Sequence, residues 1–193
     1  ALEAARPVFE RMRGQLMAGQ FLDIVTSMRP WHDLDDAERI ERSRHVITYK
    51  SAKYSIEHPL LIGATAGGAS QHDLDALSRY GVALGVAFQL RDDVLGVFGD
   101  PDVTGKPAGD DLREGKRTVL IAHALGLGGE QDAATLLGLL GRPDLTDEQV
   151  GVCRDLLERV GAVAATEEMI TSAAEAALSA LEQTPGLTDE GRA

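Results

Sequence analysis

Basic residues are the minority in this chain of 193 residues: 19 lysines and arginines stand against 31 aspartates and glutamates, for a net charge of −12. That balance argues against a nucleic-acid partner, which needs a basic face. Cysteine is nearly absent. Cys153 stands alone, so no internal disulfide staples the fold, and a reducing cytoplasm is compatible with it. Long apolar runs are missing too, since none approaches the ~20 residues of a membrane span. No signal-peptide pattern, internal repeat or low-complexity linker is visible. The five histidines, His32, His45, His58, His72 and His123, show no metal-ligand spacing and read as surface or packing residues. Trp31, the single tryptophan, reads as a packing anchor.

What is present is apolar periodicity. Apolar residues make up 44% of the chain, which excludes general disorder, and the length suits one domain with a substantial core. No alternation of the β type has useful length, so the chain reads as all-α. The pattern predicts a helix over 7–29 ending before Pro30, then one capped by Asp35 or Asp36 and running to about Lys53. Asp33 belongs to the same acidic cap cluster. Pro59 begins or kinks a helix through Ala66, stopped by Gly67-Gly68, and a long apolar helix covers 73–98. Gly81 and Gly85, one turn apart, leave one side of it narrow, for close helix packing or for a ligand tail. A loop is expected over 99–111 and helices over 115–125, 131–140 and 147–160, the last with a Thr146–Gln149 capping box. The Ala-rich stretch 162–183 makes a final helix, stopped by Pro185-Gly186.

Chemistry concentrates in residues 88–118. Asp92 and Asp93 lie late in the apolar helix, followed by Lys106, a second acidic pair Asp110-Asp111, and Lys116-Arg117. Carboxylates at this density repel unless a cation sits between them. Hard oxygen ligands suit Mg²⁺, which bridges one or two carboxylates to phosphate oxygens, and nearby lysines hold the remaining phosphate charge. Three other readings compete. A P-loop is rejected, because five residues separate Gly99 from Gly105 and Pro107 follows Lys106. An EF-hand places Asp100, Asp102, Thr104, Gly105 and Asp111 at its positions 1, 3, 5, 6 and 12, but with Asp in place of the final Glu. A solvated acidic helix end explains the charge but not the interleaved lysines and glycines.

These residues carry a resemblance. Phe88-Gln89-x-x-Asp92-Asp93, Gly99-Asp100, Thr104-Gly105-Lys106-Pro107, Gly109-x-Asp111 and Gly115-Lys116-x-Thr118 resemble the second aspartate-rich region of trans-polyprenyl diphosphate synthases. Gly19-Gln20-x-x-Asp23 resembles a further helix motif of that family, and Tyr49-Lys50-Ser51-Ala52 its Lys-Thr helix end, with Ser for Thr. The wording is most similar to bacterial geranylgeranyl or farnesyl diphosphate synthases. The resemblance implies an all-α, isoprenoid-synthase-type helical bundle. It implies metal ligands at Asp92 and Asp93 with Asp111 in support, diphosphate-binding lysines at Lys50, Lys106 and Lys116, and Gln89 beside the reacting centre.

Two departures are visible. The fifth position of the family's Asp-Asp-x-x-Asp motif is Gly96, so weaker metal organisation is expected, with Gly96→Asp restoring a carboxylate. Nothing in residues 1–87 matches the family's first aspartate-rich motif or its isopentenyl diphosphate site, and the chain starts at Ala1 in apparent helix. The expectation is that residues 1–193 form one domain that is the C-terminal portion of a polyprenyl synthase domain, incomplete at its N-terminus and inactive alone. The activity implied is Mg²⁺-dependent condensation of an allylic diphosphate with isopentenyl diphosphate, in a cytoplasmic homodimer. A non-catalytic subunit of a heteromeric synthase and a class I terpene cyclase are the alternatives.

Overall fold

A computed structural model describes residues 2–28, 31, 34–105, 107, 109–184, 186 and 188, with Thr104 as backbone only. His32, Asp33, Pro30, Lys106 and Pro185, named above, lie outside the described residues. The described residues are helical, with no strand among them. In chain order they are α1 (Leu2–Met28), α2 (Asp36–Val46), a π-helix (Ile47–Glu57), α3 (His58–Ala66), α4 (Gln71–Phe98), α5 (Pro101–Thr104), α6 (Asp110–Glu114), α7 (Val119–Leu127), α8 (Glu130–Leu139), α9 (Asp147–Arg159) and α10 (Ala162–Glu182).

The helix ends follow local chemistry. Asp35 Oδ1 accepts from the Glu38 N–H at 2.8 Å, and Glu38 Oε2 accepts from the Asp35 N–H at 3.2 Å, a capping box that starts α2. Thr146 and Gln149 make the same box at α9. Gly67 caps α3, and Gly68 follows at φ 82°, where a side chain would be strained.

Four boundaries differ from the sequence reading. α1 begins at Leu2, five residues before the expected start, and Pro7 lies inside its first turns. The helix beginning at Asp36 does not stop near Lys53, because no Gly or Pro interrupts it before Pro59; it widens into the π-helix, whose last turn closes with the His58 N–H on the Lys53 carbonyl. The stretch 99–111 contains a helical turn, α5, where a loop was expected. The helix expected over 115–125 is two pieces, since Gly115 is left-handed and Thr118 caps α7, its Oγ1 accepting from the Ile121 N–H at 3.4 Å.

The chain forms two compact units. One comprises Ala1–Asp23, His45–Gln89 and Ile170–Ala193; the other comprises Ile24–Arg44 and Leu90–Met169. In the first, the π-helix lies close against α1 and α4 at three glycines. A Cβ on Gly19 would fall 2.5 Å from the backbone of Tyr49 and Lys50, one on Gly81 2.6 Å from Glu57 Cα, and one on Gly85 2.5 Å from Ala52 Cα. Gly81 and Gly85 therefore serve close packing, not room for a tail. In the second unit, Trp31, Leu112, Leu120, Ile121, Leu136 and Leu157 are fully buried in one core. Each such side chain contributes about 1.5–3 kcal/mol on leaving water. Arg117 lies over the Trp31 ring at 5.2 Å, so the tryptophan is the anchor its isolation suggested. Cys153 is buried in the same core, and burial pushes its thiol up. Among the described residues no helix is long and apolar enough to cross a membrane.

Candidate functional site

The C-terminal end of α4 lies in the second unit and carries Asp92, Asp93 and Gly96. Asp93 shares the side of the helix that bears Leu90, Val94 and Val97, and it is buried with them. Asp92 is half-buried and points with position 96, one turn on.

Position 96 is where the fold departs from the sequence reading. The Asp111 carboxylate lies against the Gly96 α-carbon, and a Cβ there would overlap Asp111 Oδ2 and Cγ. The carboxylate that the Asp-Asp-x-x-Asp pattern lacks at position 96 is thus replaced in space by one from α6. Gly96 is what makes room for it, so restoring an aspartate at 96 would displace Asp111 instead of adding to it. Asp92 and Asp111 come to occupy neighbouring turns of one face, and the Asp92 charge contributes to raising Asp111.

α6 is held in place by its two ends. Gly109 (φ 73°) precedes it and Gly115 (φ 71°) follows it, both in the left-handed region that only glycine adopts freely. A Cβ at Gly109 would also meet Val150 Cγ1 at 2.6 Å, and one at Gly115 would meet Gly141 Cα at 2.7 Å. The turn at Gly115 brings Lys116 back over the helix. Its backbone N–H donates to the Asp111 carbonyl at 3.0 Å, its ammonium donates to Asp111 Oδ1, and Glu114 Oε2 lies 3.3 Å away. Burial pushes the Asp111 carboxyl up, against the pull of Lys116. Burial works against the Lys116 charge, but Asp111, and Glu114 behind it, hold the ammonium above the ordinary lysine value.

α5 removes the support for a calcium loop. Asp100 Oδ1 accepts from the Asp102 N–H at 2.9 Å and caps that turn, while Asp111 is turned to Gly96 and Lys116. The two ends of an EF-hand loop must share one ion, and these are engaged separately. Lys106 lies outside the described residues.

Lys50 and Gln89 belong to the first unit. Lys50 Nζ bonds Asp23 Oδ2 at 2.5 Å, so the Gly19-x-x-x-Asp23 spacing has a physical content. Gly19 lets the Lys50 backbone approach α1, and Asp23, one turn on, meets its ammonium. Gln89 is half-buried on α4. Tyr49 lies edge-on to His45 at 6.5 Å and beneath Lys53 at 5.8 Å, while Tyr54 is largely exposed. Along α1 from Asp23, an apolar groove of about 560 Å³ is lined by Phe9, Met12, Tyr54, Ser55, Pro59 and Ile62.

Sequence reasoning missed Glu57. It is buried at the end of the π-helix, accepting from Lys53 Nζ at 2.9 Å and Ser78 Oγ at 2.6 Å, beside a buried His58 whose Nδ1 is 2.8 Å from the Lys53 carbonyl. The Lys53/Glu57 spacing of four was the available signal. His123 packs its Nε2 3.2 Å from Met169 Sδ.

Among the described residues no three His, Cys, Asp or Glu side chains gather into a metal cage. Mg²⁺ does not need one: it keeps several waters and takes one or two carboxylates together with phosphate oxygens. Asp92 and Asp111, hard donors on one face, fit that requirement.

The family model for polyprenyl synthetase matches residues 3–158. The chain is 32% identical over 178 residues to the geranylfarnesyl diphosphate synthase of Aeropyrum pernix, covering 92% of this chain and 52% of that protein. It is 37% identical over 153 residues to the geranylgeranyl diphosphate synthase of Sulfolobus acidocaldarius, covering 79% and 44%. Among solved structures, the geranylgeranyl pyrophosphate synthase of Corynebacterium glutamicum, complexed with isoprenyl diphosphate and magnesium, superposes with a TM-score of 0.90 at 39% identity, covering 99% of this chain and 52% of that one. The chain thus spans about half the length of the relatives it matches. It belongs to the polyprenyl synthetase family.

Proposed function

We propose that this chain carries the diphosphate-ionising side of a Mg²⁺-dependent trans-prenyltransferase, which condenses an allylic diphosphate with isopentenyl diphosphate to give a longer polyprenyl diphosphate. The observation that carries the reading is the Asp111 carboxylate seated against Gly96, one turn from Asp92, with Lys116 upon it. Family membership supports it.

In this reading Asp92 and Asp111 would hold the metal; the metal role of Asp93 rests on the motif match, since its side chain is buried with Leu90, Val94 and Val97. Bound Mg²⁺ supplies Lewis-acid stabilisation of the departing diphosphate. The allylic C–O bond breaks with its electron pair leaving on that diphosphate, and Lys50, Lys106 and Lys116 hold the charge that develops. Gln89 lies near the reacting carbon. The roles of Lys50, Gln89 and Lys106 rest on the motif match. An apolar lining would take the alkyl tail and shield the reacting carbon from water. We propose further that residues 1–193 act as one domain, and that the enzyme works in the cytoplasm as a homodimer. The exposed Met17 and Phe21 offer apolar surface to a second copy.

Calorimetric titration of an allylic diphosphate with and without Mg²⁺ tests the reading. Binding should be strongly Mg²⁺-dependent. Equal affinity in both conditions would sink it, and tight Ca²⁺ binding without diphosphate would favour the calcium loop.

A further inference from the structure

Lys116 and a metal ion at Asp111 would draw on the same carboxylate. The ammonium donates to Asp111 Oδ1, with Glu114 Oε2 3.3 Å away. A divalent cation on that carboxylate would stand within a few ångströms of the ammonium, where like charges repel strongly in a half-buried site. One of the two must give way. The Asp111 side chain is 8% exposed and lodged against Gly96, whereas the Lys116 side chain is 42% exposed. The lysine is therefore the partner that can move. Its backbone is pinned by the Gly115 turn and the bond to the Asp111 carbonyl, so the motion is a pivot of the side chain alone.

We infer that Lys116 is an exchangeable counter-ion: a divalent cation arriving at Asp92 and Asp111 displaces its ammonium, which turns to the diphosphate. The inference rests on the diphosphate-site reading above and gives it an order of events. Without diphosphate, the displaced ammonium is left with Glu114 among the described residues, and cation binding is opposed. With diphosphate, the ammonium finds a better acceptor and the opposition is relieved. Each ligand thereby makes a place for the other, and the coupling is reciprocal.

The experiment follows the amine-labelling rate of Lys116 in the full chain by peptide mass spectrometry. It compares no cation, Mg²⁺ alone, and Mg²⁺ with inorganic pyrophosphate, with calorimetry in parallel. Mg²⁺ alone should raise the rate, and pyrophosphate should then lower it below the starting value. In Lys116→Met, Mg²⁺ alone should bind about fivefold tighter, the low end of ordinary coupling factors, while pyrophosphate binding in Mg²⁺ weakens. The labelling arm uses the unmodified protein, so it stands if the variant folds poorly. If Mg²⁺ binds without changing the Lys116 rate, or binds the variant no tighter, the exchange is wrong and Lys116 is a fixed diphosphate ligand; the site reading survives. If neither Mg²⁺ nor pyrophosphate binds, both fall.

Discussion

Glycine 96 shows how much one missing side chain can decide. By pattern it is a gap in an aspartate-rich motif; in space it is the seat of the Asp111 carboxylate. An alanine there would gain about 1 kcal/mol of helix propensity. It would also force a buried carboxylate out of its place, an overpacking cost of roughly 1–3 kcal/mol. The second effect should win. Gly96→Ala and Gly96→Asp are both expected to raise the half-saturating Mg²⁺ for pyrophosphate binding by about tenfold, the factor that about 1.4 kcal/mol represents. Titration of both variants checks this. An aspartate variant that binds Mg²⁺ more tightly would mean Asp111 moves aside without loss and the family pattern governs the site.

At the scale of elements, the π-helix is the unusual piece. It carries Lys50 and is held between Gly19 of α1 and Gly81 and Gly85 of α4. Gly85→Ala would place a methyl 2.5 Å from Ala52 Cα, where backbone, not a flexible side chain, must shift. We expect it to lower stability by roughly 1–3 kcal/mol despite the helix-propensity gain. Urea denaturation reads the difference, and a stabilised variant would show that the close approach is not required. α7 offers a pH test. Burial holds His123 below the ordinary histidine value of 6.5. A depressed imidazole leaves the unfolded chain binding more protons, so its stability contribution is present above 6.5 and is lost as pH falls through the lower folded value. His123→Gln should flatten the melting temperature between pH 6.5 and acid. An unchanged slope would assign that dependence to other groups.

At the scale of the molecule, charge and content matter more than shape. A diphosphate carries several negative charges, and this protein already has a net charge of −12. In the proposed reading, binding is therefore organised by cations clamped between protein and phosphate. Residues 1–87 contain no counterpart of the family's first aspartate-rich motif. The chain as it stands is expected to bind Mg²⁺ and pyrophosphate but not to incorporate labelled isopentenyl diphosphate, because the leaving group would be neutralised from one side only. Sustained incorporation by a preparation confirmed by intact mass would overturn that expectation.

Helical class, most helix ends and the family were determined by the sequence alone. These depend on neighbours a few residues apart: Thr146 with Gln149, Asp35 with Glu38, Gly67 before Gly68, and motifs in fixed order from Gly19 to Thr118. The π-helix was not legible, since its residues show no break and the wider turn is set by packing against distant glycines. Nor was the partnership of Gly96 with Asp111. The two lie 15 residues apart, with α5 and two left-handed glycines between them. Sequence spacing counts residues along the chain, and a carboxylate arriving from another element fills a helical position only once the intervening turns have closed. That closure, which also lays Lys116 on Asp111, was decided by tertiary packing.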